Sequence, residues 1–163
     1  MKNFMKRMIR LSLLLCICIG ATGCQKYNTP KYRERRADED ADRMTKVLKN
    51  NFSYKLILND DGGFGNDRSK IFEFSLKKPQ TLKHFKKMDQ EGKEDYNGLI
   101  DGFEFPKNFH KKQYKSELSK LFKAKDCKYY FIKGRFKKNE EHADEMYIYA
   151  QSLNKGYYYL FII

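Results

Sequence analysis

Three aromatic-rich segments close the chain: "KYYFIKGRFKK" at 128–138, "EMYIYAQSL" at 145–153 and "GYYYLFII" at 156–163. Aromatic and β-branched residues run together in each of them, and turn residues bound them, which is the composition of strands. The first two are joined by the charged loop "NEEHAD", and the last two meet at "NKG", a tight hairpin turn. Connections this short leave only antiparallel pairing, because a parallel partner needs a crossover of roughly a dozen residues or more. The C-terminal third is therefore expected to be a three-strand antiparallel meander, and whatever precedes it must pack on that sheet.

Further upstream, "NFSYKLILND" and "SKIFEFSLKK" flank "DGGFGNDR", with Tyr54, Leu56 and Leu58 alternating in the first and Phe72, Phe74 and Leu76 in the second. The pair predicts a β-hairpin. Ala37, Ala41, Met44 and Leu48 recur at helical spacing, with acids at the start and Lys46 and Lys49 at the end, in accord with the helix dipole. Pro79 is read as opening a short helix on Leu82, Phe85 and Met88. The stretch "EGKEDYNGLIDGFEFPKNFH" is read as irregular, and a third helix is expected from Lys111 to Lys123 with Tyr114, Leu118, Leu121 and Phe122 on one face. Strands and helices do not alternate as βαβ units, so the fold class is α+β: an antiparallel sheet built from an N-terminal hairpin and a C-terminal three-strand meander, packed with about three helices.

The N-terminus follows different rules. "MKNFMKRMIR" carries Lys2, Lys6, Arg7 and Arg10 and no acid, and "LSLLLCICIG" carries no charge. As a helix, the apolar stretch from Leu11 to Gly20 is about 15 Å long, roughly half of a hydrocarbon core, so it is too short to span a membrane unaided. Small residues Ala21, Thr22 and Gly23 then precede Cys24. The arrangement resembles the signal peptide of a bacterial lipoprotein, with Ala21 standing where that family usually has Leu. The resemblance implies that Cys24 receives a thioether-linked diacylglycerol, that residues 1–23 are removed, and that the new amino terminus is acylated. Residues 24–36 read as a polar tether with a reach of roughly 40 Å, and 37–163 as a single α+β domain. Gln25 follows the cysteine where some Gram-negative bacteria use Asp to retain lipoproteins in the inner membrane. The expected location is thus the cell envelope, lipid-anchored, and the outer membrane if the host is Gram-negative.

Charge and cysteines narrow the partners. The 163 residues carry 34 Lys plus Arg against 21 Asp plus Glu, a formal net charge of +13. Loss of residues 1–23 removes four bases and no acid and leaves +9. Cys16 and Cys18 leave with the signal and Cys24 takes the lipid, so Cys127 stays alone and no internal disulfide is available. Cys127 is expected to be a buried small residue at a strand start.

No motif announces catalysis. "DDGGFGNDR" lacks a phosphate-loop ending, and counting an EF-hand from Asn59, Asp60 or Asp61 places Lys70, Ile71 or Phe72 where a bidentate Glu is required. Hairpin turning is the better reading of its glycines; a weak calcium site at Asp60, Asp61, Asn66 and Asp67 is the other. The three histidines, His84, His110 and His142, stand at no ligand spacing, and the acids around His142 read as a solvated turn. No catalytic residue, metal or cofactor is assigned.

Lysines cluster at 77–87 and again at Lys107, Lys111, Lys112, Lys115, Lys120, Lys123 and Lys125, and the two clusters are expected on one side of the domain. Nucleic acid is set aside, given the export signal and the lack of a binding motif. An acidic macromolecule or anionic lipid is the compatible partner, with Lys111, Lys112 and Lys115 as the candidate contact residues. The function expected is that of a monomeric, lipid-anchored envelope protein with a non-catalytic binding domain, of the adaptor or immunity type. The alternative is an envelope enzyme working around His110 or His142, which a pocket of convergent polar groups would favour. A broad exposed aromatic patch would favour the binding domain.

Overall fold

The computed structural model describes residues 30–60, 68–78, 80, 82–134 and 142–162, with backbone alone for 30–38. The signal segment, Cys24 and the turn residues 61–67 lie outside the described residues. Two compact units divide the chain, Met1–Lys46 and Val47–Ile163. Over its described residues the first is helix α1, Pro30–Leu48, whose last two residues belong to the second. It begins at Pro30 rather than at Ala37, inside the segment read as tether. Proline suits a first helical position, where its missing N–H leaves no bond unmade and its φ is already helical. No helix among the described residues is long and apolar enough to cross a membrane.

The second unit has an α+β fold built on one six-stranded antiparallel sheet. Its strands are β1 (Phe52–Asp60), β2 (Arg68–Leu76), β3 (Lys86–Lys87), β4 (Cys127–Ile132), β5 (Ala143–Ala150) and β6 (Lys155–Ile162), in the order β1-β2-β6-β5-β4-β3. The hairpin and the meander expected from sequence are both present, and they join through β2 and β6, where Phe72 faces Tyr158 and Phe74 faces Gly156. A short 3-10 turn, Gln151–Leu153, lengthens the β5–β6 connection, and Asn154 closes it with a φ of 41°. Its side-chain oxygen accepts from the Leu76 N–H at 3.1 Å and the Tyr149 hydroxyl at 3.0 Å, which ties this turn to β2.

Helices α2 (Gln90–Asp101) and α3 (Lys111–Lys123) lie on one face of the sheet. Tyr96 of α2 meets Tyr159 edge-on at 5.4 Å between ring centres, and Tyr114 of α3 meets Tyr157 at 5.7 Å. The hydroxyls of Tyr96, Tyr114 and Tyr159 form a buried chain, with Tyr114 donating to Tyr159 at 2.7 Å and Tyr96 3.3 Å from Tyr114. On the other face an aromatic ladder crosses the strands. Tyr54, Phe72, Tyr158 and Tyr147 follow one another at 5.9, 5.6 and 4.5 Å, and Tyr130 continues the row 6.4 Å from Tyr147. Each such pair adds roughly 0.5–1.5 kcal/mol beyond the area it buries. Glu145 is buried on this face as well and accepts the Tyr158 hydroxyl at 2.9 Å.

Three local expectations need correction. Among the described residues the short helix expected after Pro79 is absent: Phe85 sits in a loop against Tyr130 and Tyr147, and Lys86–Lys87 pair with Tyr129 and Lys128 as an edge strand. The helix falls instead on α2, in the stretch read as irregular. Asp89 caps it by accepting from the Gly92 N–H at 2.9 Å. Gly92 is there for clearance, since a Cβ at that position would stand 2.5 Å from the ring of Tyr129.

The third concerns β1. Alternation put Tyr54, Leu56 and Leu58 on one face, but a bulge between Leu56 and Leu58 inserts Ile57 into the ladder. One extra residue reverses the faces that follow it. Leu58 is buried under the helices with Ile71, whereas Tyr54 and Leu56 stand on the opposite face, 48% and 42% exposed.

Candidate functional site

Where β1 and β2 run beneath the start of α3, charged side chains from four elements meet. Glu73 on β2 is opposite Lys55 on β1 and Tyr157 on β6. Lys155 lies two residues before Tyr157, so the period of a strand puts it on the same face. α3 brings Glu117 from above. The Lys155 ammonium lies 3.1 Å from Glu73 Oε2 and 3.3 Å from Glu117 Oε2, with its Nζ 5.5 Å from the centre of the Tyr157 ring. Glu117 Oε1 in turn accepts from Lys120 at 2.8 Å. The alternation of charge fastens α3 to the sheet.

This network forms one wall of a cleft of about 700 Å³. The remaining walls are Lys55–Asn59 of β1, the turn carrying Pro106, Asn108 and Phe109, then His110, which precedes α3, and Gln113 and Tyr114 of α3. Partial burial lowers the pKa of Lys155, but the hydrogen bonds and charges of Glu73 and Glu117 outweigh it and the net shift is upward. The Glu117 carboxyl is held below its ordinary value, first by the hydrogen bond from Lys120 and then by that from Lys155. Lys155 is therefore a fixed cation rather than a neutral amine ready to act as nucleophile or base, and Glu117 is a fixed anion.

His110 lines the cleft from the position before α3, where it is exposed and makes no capping bond with its side chain. His142 does not stand in a solvated turn as expected: it is buried at the start of β5, with Nε2 3.5 Å from Asp144 Oδ1, which also accepts the Gly134 N–H at 2.8 Å. Among the described residues no three His, Cys, Asp or Glu groups are arranged to hold a metal ion. Asp61, Asn66 and Asp67 fall outside those residues. Cys127 begins β4 and is buried, and burial pushes its thiol up to about 11. At neutral pH it stays protonated and unreactive.

Lys111, Lys112 and Lys115 lie exposed in the first turns of α3, with Lys111 Nζ 4.6 Å from the centre of the Phe105 ring. At about 100° per residue they occupy the side of the helix away from His110, Gln113, Tyr114 and Glu117, so the lysine face and the cleft are back to back. Of the other basic cluster, Lys77 follows β2 and donates its N–H to the Asn51 carbonyl, and Lys86 and Lys87 form the β3 edge beside β4. The aromatic residues between the clusters are not a surface patch, since Phe103 is buried and Phe105 and Phe109 pack against Tyr114.

No acid offsets Lys111 and Lys112 in the first turn of α3, where the positive end of the helix dipole disfavours cations. Changing Lys111, Lys112 and Lys115 together to Gln is expected to leave stability within about 0.5 kcal/mol, or to raise it slightly. A urea titration checks this, and a larger loss would mean that the lysines hold the fold.

Sequence reasoning missed the cleft. Glu73, Glu117 and Lys155 are far apart in the chain, and only strand register and the path of α3 unite them. The one local sign was a lone acid between the aromatics Phe72 and Phe74. Set against known protein families, curated proteins and solved structures, the chain finds no match in any of the three.

Proposed function

We propose that this chain is a lipid-anchored protein of the bacterial cell envelope whose α+β domain binds another macromolecule. The observation that carries the reading is the succession at the N-terminus: four bases, an uncharged apolar run too short to span, three small residues and Cys24. Two or more acyl chains suffice for stable attachment, since each buried methylene contributes roughly 0.8 kcal/mol. Lys111, Lys112 and Lys115 support an anionic partner, because they crowd the first turns of α3, where no acid offsets them and the helix dipole disfavours cations. The cleft supports binding too, since along one wall runs β1, which among the described residues pairs with β2 alone.

The test is replacement of Cys24 by Ser in a bacterial host. Expected are loss of palmitate labelling and loss of the chain from membrane pellets. Undiminished labelling of the Ser variant would contradict the anchor.

A second reading, an envelope enzyme working in the same cleft, draws on the convergence of His110, Gln113, Glu73 and Glu117 there. It is the less supported of the two, because both carboxylates are turned onto Lys155. If it holds, His110→Ala abolishes turnover of an envelope substrate.

A further inference from the structure

We infer that β1 is a docking edge, and that its occupant is an extended segment of a partner protein in which acidic and apolar side chains alternate. This deepens the binding reading above and rests on it.

Among the described residues β1 is the outermost strand of the sheet and pairs with β2 alone, so alternate residues turn their N–H and C=O groups away from β2. β3, the opposite edge, is two residues long, whereas β1 has nine. Among the described residues the exposed large apolar side chains are Tyr54, Leu56 and Leu153, and two of these three lie on β1. They share one face. Lys55 points to the other, toward the cleft, and it makes no ion pair among the described residues.

A strand added beside β1 would likewise send successive side chains to opposite faces. On one face they would meet Tyr54 and Leu56, which calls for apolar groups. On the other they would meet Lys55, with His110 across the cleft as a hydrogen-bonding partner, which calls for carboxylates. The acids already in the cleft do not cancel this demand, since Glu73 and Glu117 are matched by Lys155 and Lys120. Beyond the bulge at Ile57 the β1–β2 ladder resumes at Leu58–Asp60 with the faces reversed, so the docked segment alternates in step with Phe52–Leu56 and continues past the bulge to Asp60. A lysine on an edge also deters pairing with a like-charged strand. At a formal net charge of +13 a second copy of this chain is the wrong occupant, and an acidic segment the right one.

The experiment uses the chain purified from membranes in detergent and a fluorescent (Glu-Val)4 peptide as probe. Expected is saturable binding with slowed hydrogen exchange confined to residues 52–60. N-methylation of alternate peptide amides removes the donors a new strand needs and should weaken binding about tenfold or more, because main-chain bonds carry affinity in strand addition. Lys55→Glu should weaken it comparably, while the variant changed at Lys111, Lys112 and Lys115 retains the protection at 52–60. A (Lys-Val)4 peptide should not bind.

Four outcomes overturn the inference. These are no binding by (Glu-Val)4, binding indifferent to N-methylation, exchange protection at 52–60 that arises from self-association without peptide, and protection confined to α3 on phosphatidylglycerol vesicles. None of them touches palmitate labelling at Cys24, so strand docking can fail while the anchored binding protein stands, and the reverse.

Discussion

Gly156→Ala is expected to lower stability by about 2–3 kcal/mol, the cost of overpacking a filled interior. Gly156 sits on β6 between Phe74 of β2 and Tyr149 of β5. A Cβ there would meet the ring of Phe74 and would stand 2.7 Å from the carbonyl oxygen of Ile148. The Phe74 ring cannot swing aside, because it stacks on Tyr149 at 5.8 Å and meets Tyr147 at 6.4 Å. Alanine recovers roughly 0.5–1 kcal/mol of backbone entropy relative to glycine, which is too little to offset the clash. With a urea dependence of about 1–3 kcal/mol per molar, the midpoint should fall by roughly 1–2 M. Phe74→Leu in the Gly156→Ala background should restore part of the loss, since residues in contact couple by about 0.5–3 kcal/mol. An unchanged midpoint would mean that the ring does not cover the glycine.

At high pH the second unit should unfold steeply rather than titrate gradually. Burial raises the pKa of Tyr96, Tyr114 and Tyr159 above the ordinary value of 10.0, and their linked hydroxyls leave no room for a phenolate. A group whose folded pKa is raised contributes stability that is fully present below its unfolded value and is lost as pH rises through the folded one. The window therefore opens near pH 10.0 and extends upward. Each proton that only the folded state retains costs about 1.4 kcal/mol of stability per pH unit, so three tyrosines together cost about 4. Against a total of roughly 5–15 kcal/mol, unfolding falls within about one to four units above pH 10. Absorbance at 295 nm and circular dichroism should change together in one cooperative step. Gradual tyrosinate absorbance with constant ellipticity would contradict the buried chain.

What the sequence revealed follows from how local each signal is. The meander and the hairpin were legible because aromatic runs and turn residues act within a few positions, and α3 because Tyr114, Leu118 and Leu121 repeat at helical spacing and are all buried. α2 was hidden because two glycines, Gly92 and Gly98, interrupt its stripe of Tyr96 and Leu99, and the ring that Gly92 must clear belongs to Tyr129 on β4. Leu82, Phe85 and Met88 imitated a helix by spacing alone. The Met88 N–H donates to the Cys127 carbonyl at 2.8 Å, a tie between strands that no local pattern reveals. That Leu58 turns to the opposite face from Tyr54 and Leu56 follows from one bulged residue, which alternation cannot announce.

The candidate site divides along the same line. The lysines of α3 could be read from composition, but their side of the helix, away from the cleft, was settled by which α3 residues line it. The cleft itself depends on the register that sets Glu73 beside Lys155.

The most direct test of the central claim, an exported and lipid-anchored binding protein, is the intact mass of the chain recovered from the envelope of a bacterial host. The account predicts a chain that begins at Cys24 and carries diacylglycerol on that cysteine, with the terminal amine acylated. A chain that retains Met1, or one cut elsewhere without lipid, would contradict it.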